Sequence, residues 1–170
     1  MALARLHRRR ALLQHAASLP LGLALGGCAA VAAGPGSDAG ADGLPQVPAG
    51  QALQRIAFGS CINQALQPQP IWDAVLAAQP QLFVFGGDNV YASTPPWSLA
   101  QLESAYATQA AVPGFAQLRR TVPHLAIWDD HDYGKNDAGA EWAQKQVAKD
   151  AFLRFWQVPA NDPRRQHGGL

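Results

Sequence analysis

Three short apolar runs, each stopped by glycine or aspartate and followed by a polar loop, constrain this chain more than anything else in it. Residues 55–58 lead into Gly59-Ser60-Cys61-Ile62-Asn63. Residues 81–85 lead into Gly86-Gly87-Asp88-Asn89-Val90-Tyr91, and residues 125–128 into Asp129-Asp130-His131-Asp132-Tyr133-Gly134. Short apolar runs rich in aromatic and β-branched residues, bounded by turn residues, read as buried strands. Helical patterns lie between them. Ile71, Trp72, Val75 and Leu76 share one side of a helix over 70–79, which Pro80 stops. Ser98 and Gln101 form a capping box that opens a helix to about residue 107. A short helix over 113–120 follows, and a longer one over 140–156 carries Trp142, Val147, Phe152 and Phe155. Strands alternating with helices predict an α/β sheet of mostly parallel strands.

In a parallel sheet the carboxyl ends of neighbouring strands share one edge, and ligands bind in the crevice there. That edge gathers Cys61, Asp88, Asp130 and His131 from separate loops. Four of the chain's 12 acidic residues fall within 129–137. Such crowding repels unless something positive sits in it, and a multivalent cation keeps carboxylates ionised and ligated. For Asp132 and Asp137 the alternative is that they cap turns. Cys61 offers a soft ligand for iron or zinc, or else packs as a small hydrophobe. His131 is a ligand or a proton donor. In an extended loop its side chain diverges from that of Asp130.

Charge excludes a polybasic nucleic-acid binder, since the net charge is +1. The basic residues are unevenly placed. Arg5, Arg8, Arg9 and Arg10 precede any acid, and beyond residue 27 the chain keeps 9 basic residues against 12 acidic ones, a net −3. An Arg-rich start, a modest apolar stretch and small residues make the order of a secretory signal over 1–27. Its end, Leu25-Gly26-Gly27-Cys28, resembles a bacterial lipobox, in which Cys28 is lipidated and anchors the protein to a membrane. Arg9-Arg10 resembles a twin-arginine signal. Residues 28–50 are dominated by Ala, Gly and Pro and read as a tether, which leaves 51–170 as the folded domain. The chain is therefore expected outside the cytoplasm, in the cell envelope. Nothing in it indicates a protein partner.

The stretches Phe58-Gly59-Ser60-Cys61, Gly87-Asp88-Asn89-Val90-Tyr91 and Trp128-Asp129-Asp130-His131-Asp132-Tyr133-Gly134, in this order, resemble the alkaline phosphatase D-like metallophosphatases. The similarity runs from about residue 55 to the end. It implies the first half of a metallophosphoesterase-type α/β/β/α sandwich and hydrolysis of phosphate esters, mono- or diesters, at a site of iron and calcium. By the same resemblance Cys61 ligates iron, Asp88 bridges two metals and Asp130 ligates the second. His131 assists the leaving group or binds a phosphoryl oxygen, Asn89 contacts phosphate, and Tyr106 matches an iron ligand.

One departure stands out. The superfamily draws further Asp and His ligands from later strands. After Asp137 this chain offers Glu141, Asp150, Asp162 and His167, none in such a motif. It therefore reads as the amino-terminal portion of the enzyme, inactive alone and with an apolar sheet face exposed. The other reading is a non-catalytic, lipid-anchored metal- or phosphate-binding lipoprotein. The reading frame beyond Leu170 separates the two.

Overall fold

The computed structural model describes residues 43–170. The signal, the lipobox, Cys28 and most of the tether lie outside the described residues. Three strands, β1 (Ile56–Gly59), β2 (Leu82–Gly86) and β3 (His124–Ile127), form one parallel sheet in the order β1-β2-β3. Between and after them come α1 (Ile71–Ala77), α2 (Leu99–Ala110), α3 (Pro113–Thr121), α4 (Asp130–Tyr133) and α5 (Lys145–Phe155), with a 3-10 turn over Pro163–Gln166. The expected α/β domain, with strands alternating with helices, is present. Among the described residues no helix is long and apolar enough to cross a membrane.

The local chemistry accounts for the boundaries. Ser98 caps α2 through its side chain and Gln101 returns the bond, as the capping-box pattern predicts. Pro113 opens α3 at a position where its missing N–H costs nothing. The last long helix starts at Lys145 rather than 140. Trp142 is held in a turn instead, its indole donating to the Tyr133 carbonyl at 3.0 Å. Asp129, Asp130 and Asp132, read as loop, nucleate the short helix α4. Asp129 caps it and Asp132 closes the box, and Gly134 ends it with a left-handed φ of 90°.

Strands joined in sequence by right-handed crossovers place their helices on one face of the sheet. Phe83 and Phe85 project into that face and are essentially fully buried. Their rings lie 4.5 Å apart, and Trp156 meets Phe85 at 4.7 Å. Trp72, Phe115, Leu118 and Phe152 complete the layer. Each such side chain contributes roughly 1.5–3 kcal/mol through burial. Near the amino end of the described residues, Pro45 is buried and Leu44 lies beside His124 and Trp156, so this end of the tether packs on the domain.

The opposite face is apolar and open, as expected for this chain, although the strands taken singly read as buried. Parallel register aligns Ile56 with Leu82, and Phe58 with Val84 and Leu125. Of these outward residues Phe58 is 75% exposed, Leu125 53% and Ile56 52%, and Ile127 beside them is 47% exposed. Apolar strands were the signal for burial, but one helical layer covers only one side. Ile71 likewise points outward from α1, where its neighbour Trp72 is buried.

Candidate functional site

The carboxyl ends of the three strands meet as parallel pairing requires. The loops after β1 and β2 continue the ladder: the Cys61 amide donates to the Gly87 carbonyl at 3.2 Å, and that of Ile62 to the Asp88 carbonyl at 2.8 Å. Cys61 and Asp88 both adopt left-handed backbone, with φ of 58° and 50°. A non-glycine residue there costs on the order of 1 kcal/mol or more, and such strain concentrates at functional sites. Asp tolerates the conformation better than Cys. Gly87 has no alternative. Its φ is 99°, and a Cβ would sit 2.8 Å from that of Asp129. This close approach draws the β2 loop onto the start of α4.

Asp88, Asp130 and His131 each offer one ligand atom, and these atoms lie within 4.8 Å of one another. Cys61 flanks them, its Sγ 3.7 Å from Asp88 Oδ2, and the Tyr91 hydroxyl donates to the same oxygen at 3.4 Å. The His131 amide donates to Asp130 Oδ1 at 2.9 Å and to Asp88 Oδ1 at 3.4 Å. The Asp137 amide donates to Asp130 Oδ2. Cys61 is exposed and the other three residues half-buried. Asp130 and His131 do not diverge as an extended loop would make them. The helical turn of α4 brings both to one group.

Desolvation raises the pKa of the Asp88 carboxyl. His131 opposes the shift, and the like charges of Asp130 and Asp129 add to it. Burial also raises the Tyr91 hydroxyl, with Cys61 and Asp88 reinforcing it, so that phenol remains a donor. The carboxylates of this cluster repel one another.

The remaining sequence-derived residues, Asn89 and Tyr106, lie in a buried layer beneath. Asn89 is 1% exposed, and its Nδ2 donates to the Ile127 carbonyl at 2.8 Å and to Asp132 Oδ2 at 3.1 Å. The Tyr106 hydroxyl donates to Asp132 Oδ1 at 3.2 Å, and its ring stacks on Phe155 at 4.3 Å. The structure therefore does not bring either side chain into the open cluster. Asp132 is the hub of that layer and is fully buried. Desolvation pushes its carboxyl up to about 7, against the pull of its hydrogen-bond donors. Its capping alternative is the one realised.

Sequence reasoning passed over Gln64, Tyr91 as a wall, and Ser93. Gln64 grips the Tyr91 backbone from both sides, accepting from its amide and donating to its carbonyl, each at 2.8 Å. Tyr91 stood inside the second motif, next to the apolar Val90, where its role could be suspected. Nothing in the pattern around Gln64 or Ser93 marks them.

The fold and the site define a small α/β domain with an acidic cluster, a histidine and a thiol at the carboxyl edge of a parallel sheet. No family model, curated protein or solved structure matches this chain.

Proposed function

We propose that this cluster is part of a metal-dependent phosphate-ester hydrolase, and that the sheet is the first half of a metallophosphoesterase-type sandwich. The observation that supports the reading most is the meeting of Asp88, Asp130 and His131 within 4.8 Å, beside Cys61, from the three stretches that resemble the alkaline phosphatase D-like metallophosphatases.

The donor set fits a cation. Two carboxylates, an imidazole and a thiol suit a transition metal such as iron, with Asp130 as the oxygen donor toward calcium. A cation would also offset the desolvation and the like-charge repulsion that together raise the Asp88 carboxyl. Cys61 and Asp88 would hold the iron and Asp130 the second metal. When bound, the metal supplies Lewis-acid stabilisation of phosphoryl oxygens and a nucleophile usable near neutrality. The chain's own residues orient and exchange protons. His131 hydrogen-bonds the phosphoryl or leaving oxygen, and its imidazole can give that oxygen a proton. Tyr91, held protonated, fixes Asp88 Oδ2 as an acceptor and walls the site. Asn89 acts beneath the site, holding the β2 loop to α4 through Asp132.

The gathered donors serve one cation better than two. The 170-residue chain alone is therefore expected to bind metal and to hydrolyse ester no faster than background. The protein acts outside the cytoplasm, anchored through lipid on Cys28.

The test is hydrolysis of chromogenic phosphate mono- and diesters by the native gene product with iron and calcium. The expected result is a rate abolished by chelator and by Asp88→Asn. A rate indifferent to Asp88→Asn contradicts the reading. Metal binding without any hydrolysis favours the second reading, a non-catalytic metal- or phosphate-binding lipoprotein.

A further inference from the structure

His131 is held from two sides, by Ser93, which has no role so far, and by Tyr91, the wall of the site. Ser93 Oγ lies 2.8 Å from its Nδ1. The Tyr91 ring lies against the imidazole, centroids 4.2 Å apart and planes tilted by 40°. Tyr91 cannot drift away, because Gln64 grips its backbone amide and carbonyl. The backbone of His131 is held as well, its N–H donating to the carboxylates of Asp130 and Asp88. An imidazole with one nitrogen engaged presents the other, and the partner of the engaged nitrogen decides which way the ring faces.

We propose that Ser93 is the positioning residue for His131: its hydroxyl anchors Nδ1, so that Nε2 is the nitrogen presented to a ligand in the cluster. The use of that nitrogen on a phosphate ester rests on the function proposed above, but the anchor itself does not. Ser93 comes from the segment after β2 and His131 from α4, so the contact also joins two of the three loops that build the site. Tyr91 limits the ring from one face while Ser93 fixes its rotation about the Cα–Cβ and Cβ–Cγ bonds. Without the hydroxyl the ring keeps the wall but loses the anchor, and Nε2 is no longer held at one place.

The test has two arms. In the first, histidine ring nitrogens are labelled with ¹⁵N in the full chain, and the His131 Nδ1 resonance is followed in wild type, Ser93→Ala and Ser93→Thr. The expected result is a hydrogen-bonded Nδ1 in wild type and in Ser93→Thr, with the signature lost in Ser93→Ala while backbone amide shifts elsewhere stay in place. A wild-type Nδ1 resonance that shows no hydrogen bond, or one unchanged in Ser93→Ala, overturns the proposal. In the second arm the native gene product is assayed on a chromogenic phosphate ester. Ser93→Ala is expected to lower kcat by roughly 10- to 100-fold with KM little changed, and Ser93→Thr to restore it. An unchanged kcat overturns the positioning role even if the resonance behaves as expected. If the native product hydrolyses nothing, the phosphatase reading fails by itself, and the Nδ1 resonance alone decides whether Ser93 anchors His131.

Discussion

Asn89 gives both of its nitrogens to one carboxylate, that of Asp132. Its amide lies 3.1 Å from Oδ1 and its Nδ2 3.1 Å from Oδ2. The Asp129 amide adds a bond to Oδ2 at 3.0 Å, and the Tyr106 hydroxyl one to Oδ1 at 3.2 Å. One buried side chain thus ties the loop after β2, the start of α4 and the middle of α2. The loop that carries Asp88 and the helix start that carries Asp130 are both tied to this layer.

The Asp132 carboxyl makes stability depend on pH with a definite sign. Its folded value is pushed up by burial to about 7, from an ordinary 3.8. Between these values the folded state holds a proton that the unfolded state has released. The contribution is therefore fully present below about pH 4 and is lost as pH rises through 7. The full span is on the order of 4 kcal/mol. Asp132→Asn should flatten that slope, since an amide can donate to the Tyr106 oxygen and still accept from Asn89. Urea unfolding of both proteins between pH 4.5 and 8 measures it, and parallel slopes would refute the assignment.

Tyr106→Phe removes one donor from the buried hub and nothing from the open cluster. It should cost about 1 kcal/mol of stability, with iron content unchanged. Loss of iron in this variant would restore Tyr106 to the ligand set that the family resemblance implies.

Cys61→Ser should leave the fold intact, because the thiol is exposed. A hydroxyl is a poor replacement for a soft thiolate donor. Iron bound by wild type should be lost, together with any visible thiolate-to-iron band, while far-UV circular dichroism stays the same. Full iron retention would remove Cys61 from the site.

Much of this was legible in the chain because its signals were local. The apolar runs, the Ser98–Gln101 box and Pro113 each act within a turn or a strand, so the elements appeared near where they were predicted. The gathering of Asp88, Asp130 and His131 followed from one topological rule. What was not legible depended on long-range contact. Tyr106 and Asn89 meet in the buried layer at Asp132, which lies 26 and 43 positions away. The Ser93–His131 contact spans 38 positions. The apolar pattern of Phe58 and Leu125 is the same whether one layer covers them or two, so the expectation of an open face came from the family resemblance and not from the strands themselves.

That face carries its own consequence. β1 lies at the edge of the sheet with Ile56 and Phe58 outward, a surface prone to self-association. The double variant Phe58→Thr, Leu125→Thr should sediment as a smaller species than wild type at equal concentration, with secondary structure unchanged. Identical sedimentation would show that this face is not what drives association.

The most direct test of the central claim is iron binding to the 170-residue chain, wild type against Asp88→Asn. Asp88 touches Cys61, Tyr91 and the His131 amide, so its oxygens are the centre of the arrangement. The expected result is stoichiometric iron in wild type that survives desalting and is lost in Asp88→Asn with the fold retained. A wild-type chain that binds no iron, or an Asp88→Asn chain that binds it equally well, would contradict the account.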